Sequence, residues 1–170
     1  MYADEPNYFD MVPSMSPSED ELGVAIPVEA MLARSPNAAV VVRSVVAYST
    51  GLTLDLAFLL RPGTESESWP VILRGDDGLH VGIGGDQGPV AMGPLHMPQL
   101  ATAPYWICGI SGGDGRRYSA SLWINPLPDV GELTVGLSWR RFAIPKTTST
   151  LTVSTPTDVA ARSVRIWPPD

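Results

Sequence analysis

The feature that most constrains this chain is an alternation of apolar with small or polar side chains, repeated in short runs that glycine and proline interrupt. Leu133, Val135, Leu137 and Trp139 alternate with Thr134, Gly136 and Ser138, and Leu52, Leu54, Leu56 and Phe58 alternate with Thr53, Asp55 and Ala57. Successive strand side chains point to opposite faces, so each run puts its large apolar groups on one buried face. The 16 Gly and 17 Pro are scattered between apolar runs rather than gathered in one tract. That spacing suits many short strands joined by tight turns. The expectation is an all-β fold: an antiparallel β-sandwich of about seven to nine short strands with two short helices, near residues 27–34 and 156–162.

Turn chemistry places the elements. Runs at 39–48 and 52–61 flank Ser49-Thr50-Gly51, runs at 70–74 and 79–83 flank Gly75-Asp76-Asp77-Gly78, and runs at 105–110 and 118–124 flank a glycine-rich stretch from Ser111 to Arg117. Each reads as a hairpin. Pro27 opens one predicted helix, closed by Ser35-Pro36-Asn37; Thr155 as N-cap, with Pro156 and Asp158 in the first turn, opens the other. Residues 147–153 form a Thr-rich strand and the stretch from Val164 a docking strand. Residues 84–102, with little periodicity, predict a long loop holding at most one edge strand, of a length that usually binds something or moves.

At 170 residues and 44% hydrophobic composition, one domain over 23–170 can bury a sufficient core without staples. Cys108 is the single cysteine, so no intrachain disulfide forms and a reducing, cytoplasmic setting is expected. The first residues lack the basic and apolar regions of a signal peptide, and the longest apolar runs are too short to span a bilayer. No membrane partner is expected.

Charge separates the first 22 residues from the rest. Asp4, Glu5, Asp10, Glu19, Asp20 and Glu21 supply six acids with no base, out of a net charge of −7. Prolines and the absence of either period mark residues 1–22 as an acidic tail that is disordered alone or docked on a partner. Such a tail repels phosphate backbones, which argues against nucleic acid. The basic doublets Arg116-Arg117 and Arg140-Arg141 read as solvated turns or strand ends.

Each chemical motif meets a plainer reading. Gly109-Ile110-Ser111-Gly112-Gly113 matches the serine-hydrolase elbow G-x-S-x-G, but glycines rather than a helix follow Ser111 and both histidines, His80 and His96, precede it. A His80, Asp86, Ser111 order crowds three groups into hairpins, so a glycine turn is preferred. Gly82 to Gly88 lacks the helix and lysine of a phosphate loop. His80, His96 and Cys108 match no zinc spacing, and no cofactor or metal is expected. Cys108 reads as a buried, inert thiol. Among the five tryptophans, Trp123 and Trp139 are phased with aliphatics as core, and Trp69, beside a polar loop, is the one expected to be exposed.

Pro126-Leu127-Pro128, the run Gly131 to Trp139, Ile144-Pro145-Lys146-Thr147-Thr148 and the stretch Ala160 to Pro168 together resemble a family of uncharacterised actinobacterial single-domain β proteins. The resemblance spans about Val40 to Pro168 and leaves out the acidic tail; Arg140 stands where such proteins tend to have Pro. It implies one compact bacterial domain and brings no activity with it.

The expected function is that of a non-enzymatic interaction or assembly protein. Its tail, with Tyr8, Phe9, Met11 and Met15 as apolar anchors and Glu19, Asp20 and Glu21 as charges, docks on a protein partner or a symmetry mate in a homo-oligomer. The alternative is a sandwich that binds a small ligand or glycan through Trp69, Asp86 and His96 with the 84–102 loop.

Overall fold

The computed structural model describes residues 15–64, 67–85, 90–101 and 103–168. Strands β1 (Glu21–Leu22), β2 (Val24–Ile26), β3 (Ala30–Arg34), β4 (Ala38–Tyr48) and β5 (Gly51–Leu60) lead to a short helix α1 (Trp69–Leu73). After it come β6 (Leu79–Gly84), β7 (Gly93–Pro94), β8 (Tyr105–Asp114), β9 (Arg117–Asn125) and β10 (Glu132–Trp139). A 3₁₀ turn at Arg140–Phe142, β11 (Ile144–Thr152), α2 (Pro156–Arg162) and β12 (Val164–Arg165) follow. The fold is all-β and sandwich-like, as the alternation requires.

Two antiparallel sheets share one core. The larger runs β2-β4-β5-β9-β8, with β3 also paired to β4, and the smaller runs β11-β10-β6-β7. Leu52, Leu54, Leu56 and Phe58 of β5 are fully buried, as are Leu133, Val135, Leu137 and Trp139 of β10. Trp139 joins the sheets: its ring meets Phe58 edge-on at 6.2 Å and Phe142 at 4.6 Å, and its indole N–H donates to the Ile72 carbonyl at 3.0 Å. A third, two-stranded ribbon pairs β1 with β12, Glu21 opposite Arg165 and Leu22 opposite Val164. No helix among the described residues is long and apolar enough to cross a membrane.

The β4–β5 hairpin turns on Ser49-Thr50 alone, because Gly51 is already paired with Tyr48. A Cβ on Gly51 would lie 2.4 Å from the Ile124 carbonyl oxygen, so close approach of β9, rather than turn conformation, requires the glycine there. The expected edge strand in the 84–102 loop is β7, which pairs with β6. The β8–β9 turn is tighter than expected, since the strands stay paired out to Asp114 and Arg117.

Two elements differ in kind from the sequence reading. The helix expected at 27–34 is instead strand β3, paired with β4 from Ala30 opposite Val42 to Arg34 opposite Ala39. With eleven residues, β4 presents a row of donors and acceptors that this segment satisfies, and that pairing outweighs the local pull of Pro27 towards helix. The strand expected at 70–74 is instead helix α1, with Pro70 in its first turn and Trp69, Ile72 and Leu73 buried. Those three stand at i, i+3 and i+4, a helical face that a five-residue run barely declares. The second predicted helix lies where expected: Thr155 caps it by accepting from the Asp158 backbone N–H at 3.3 Å.

Candidate functional site

The end of the molecule carrying the ribbon combines two kinds of group. The first is a set of anchors for the acidic segment. The Glu21 carboxylate accepts from the Ser49 backbone N–H at 2.8 Å and from its hydroxyl at 2.6 Å, clasping the β4–β5 turn. The Ile166 N–H donates to the Asp20 carbonyl at 2.9 Å, extending the ribbon by one pair. Asp20 and Glu21, expected as partner contacts, therefore also hold the segment to its own body. Glu19 is exposed and Met15 half-buried, while Tyr8, Phe9 and Met11 lie outside the described residues.

The second is apolar surface left in water. Leu22 and Val164, cross-strand partners and so on one face of the ribbon, are 61% and 57% exposed. Ile166 and Trp167 beyond them are 48% and 64% exposed. The sequence marked 164–168 as a docking strand; the pairing with β1 is its dock, and its apolar side chains are not consumed by it.

Elsewhere a concavity of about 240 Å³ brings together groups that the sequence left apart. Pro70 and Leu73 of α1, His96 after β7, Cys108 and Ser111 of β8 and Tyr118 of β9 line it. His96 is thus on a groove, as a ligand contact requires. Trp69 is a correction: it is 7% exposed, packed at 5.4 Å from the Tyr118 ring and 6.4 Å from Trp139. Its apolar ring closes the α1 face onto the core, so it offers no stacking platform. Asp86 lies outside the described residues.

The chemistry of this groove is muted. Cys108 is half-buried, and burial pushes its thiol above the ordinary range against a hydrogen bond with Ser111 that pulls it down. Little thiolate then exists at neutral pH, and the thiol is a weak nucleophile. Ser111 sits within β8, where the pairing with β9 shifts register between Cys108 and Ser111. The strained strand-turn-helix that exposes a hydrolase serine is replaced by a bulge in a continuing strand. His80 turns its Nδ1 to the Gly78 carbonyl at 3.2 Å. Among the described residues, no three His, Cys, Asp or Glu side chains are grouped to hold a metal ion.

Asp76 and Asp77 read as turn carboxylates, and Asp77 has a sharper task. Its two oxygens accept from Arg141 Nε at 2.9 Å and an Arg141 Nη at 3.2 Å, while a second Nη reaches Glu67 at 3.1 Å. The hydrogen bonds and charge of that guanidinium hold the Asp77 carboxyl below its ordinary value. The clamp fastens the α1–β6 turn to the corner after β10. No protein family model, curated protein or solved structure matches the chain.

Proposed function

We propose that this is a non-enzymatic interaction and assembly protein, whose acidic N-terminal segment and adjoining β1–β12 ribbon dock on a protein partner or a second copy of the chain. One observation carries the reading: Leu22, Val164, Ile166 and Trp167 are all exposed on the ribbon and just beyond it, where that segment joins the body. Apolar groups gathered at one place and rimmed by acids have the make-up of an interface, with an apolar centre and a polar rim. Tyr8, Phe9, Met11 and Met15 add anchors of the same kind from the segment itself.

Removing residues 1–18 leaves Asp20 and Glu21 to keep the ribbon, and should abolish a complex without unfolding the domain. Replacing Leu22, Val164 and Trp167 with Ser should do the same. Light scattering on the purified chain and affinity capture with the intact protein as bait are the measurements. Unchanged mass together with an unchanged set of captured partners in both variants would sink the proposal.

A second reading, ligand binding, is favoured by the groove of His96, Ser111 and Tyr118. A thermal-shift screen over sugars and small polar ligands tests it, because any ligand of the native state raises its melting temperature. No rise with any compound counts against the groove as a binding site.

A further inference from the structure

Opposite the ribbon, the far end of the larger sheet carries a concentration of positive charge. Arg34 at the end of β3, Arg61 just after β5, and Arg116 and Arg117 at the β8–β9 turn line one open concavity of about 760 Å³, with Asp114 its only acidic side chain. The floor is fixed by backbone hydrogen bonds, Leu60 N–H to the Arg116 carbonyl at 2.9 Å and Arg61 N–H to the Asn37 carbonyl at 2.8 Å. Ser35 Oγ accepts from the Asn37 and Ala38 N–H groups and holds the rim. All four arginines are exposed. Among the described residues none of them is in an ion pair, whereas Arg141 has two. Four of the eleven bases thus gather in one place on a chain of net charge −7.

We propose that this concavity receives the acidic N-terminal segment of a second copy of the chain, Asp4, Glu5 and Asp10 meeting the four guanidinium groups. The inference rests on the assembly reading above and names both surfaces. Guanidinium forks suit carboxylates bidentately and stack on aromatic rings, which Tyr8 and Phe9 supply between the acids. Position favours the second copy over the chain's own segment, which would have to lie almost fully extended to bring Asp10 there. Glu21 is held at Ser49, at one end of β4, while the concavity lies at Ala38 and Leu60, at the other. Eleven strand residues separate the two ends by roughly 33 Å. A segment binding its own body must run back along that length, whereas a copy stacked end-on delivers its segment directly. Complementary surfaces at opposite ends make a heterologous contact, which builds rings or open head-to-tail chains.

Sedimentation of the full chain should show association that grows with concentration at low salt and collapses to monomer at about 0.5 M salt, where screening is short-ranged. The double variant R61E/R116E should weaken association by about tenfold or more, and R61K/R116K should retain most of it. All the altered side chains are exposed, and unchanged circular dichroism checks the fold. The decisive arm is a swap. D4K/E5K/D10K and R61E/R116E should each fail alone and associate when mixed, because the lysine-bearing segment of one now fits the acidic concavity of the other. A chain that stays monomeric at every salt and concentration overturns the inference. So does association indifferent to both arginine variants, which leaves the assembly reading standing if removal of residues 1–18 still abolishes a complex. Mixed charge-swap variants that stay apart, with cross-links only within one chain, overturn it as well.

Discussion

The space between the two sheets and the β1–β12 ribbon hold the same kinds of side chain in opposite circumstances. Trp139 is fully buried, with rings on three sides and its N–H spent on the Ile72 carbonyl. Trp167, near the other end of the described chain, is 64% exposed beside Ile166 and Val164. The first arrangement accounts for its apolar residues by the stability of the domain; the second does not. A residue type alone therefore says little, and what separates core from contact surface is whether the fold itself has used the group. Charge repeats the lesson, since Arg141 after β10 is spent on a clamp and the arginines at the far end of the larger sheet are not.

Substituting each of the two tryptophans tests the contrast most severely. Trp139→Ala should cost about 3–5 kcal/mol in urea unfolding, from the cavity and from the Ile72 carbonyl left without its donor. Trp167→Ala should stay within about 0.5 kcal/mol while weakening association. Equal losses of stability would erase the distinction between the regions. Next in size is Thr155→Ala, which removes the cap of α2, the helix that leads into β12. About 1 kcal/mol should be lost by the same measurement, and hydrogen exchange at Ile166 should quicken.

The smallest effect concerns the clamp. Asp77 titrates below its ordinary value in the folded protein, so its contribution is complete above the unfolded value of about 3.9 and is lost as pH falls through the lower folded value. In Arg141→Gln the Asp77 midpoint, followed by carboxyl NMR, should move up towards the ordinary value. A midpoint that does not move would place the cause elsewhere than in the guanidinium.

Where alternation ran for seven residues or more, as in β5 and β10, the chain declared its strands, and Thr155-Pro156 declared a helix start. The segments at 27–34 and 70–74 were too short for their period to speak. β3 depends on the open edge of β4, a demand made by residues five to twelve positions away, from Arg34 opposite Ala39 to Ala30 opposite Val42. The acidic segment was legible because six acids and no base fall within the first 22 residues. The arginine concavity was not, because Arg34 and Arg117 come to line one hollow only once β3, β4, β5 and β9 are laid side by side. The same is true of His96, Cys108 and Ser111, which share a groove through the placement of β7 and β8. Trp69 misled because a polar loop precedes it, whereas its burial is set by Tyr118 and Trp139.

The ribbon has one more property, which concerns force. β1 and β12 are antiparallel, so Asp20 and Ile166 lie at the same outer end of the ladder. Tension applied through the segments beyond them pulls the two strands apart one hydrogen bond at a time, as a zipper opens, instead of shearing all of them at once. The strands of the sandwich are not loaded until that short ladder and the Glu21 clasp on Ser49 have parted. A pull transmitted through the N-terminal segment would therefore be met first by a mechanically soft joint, and the core would keep its shape while the joint gives way.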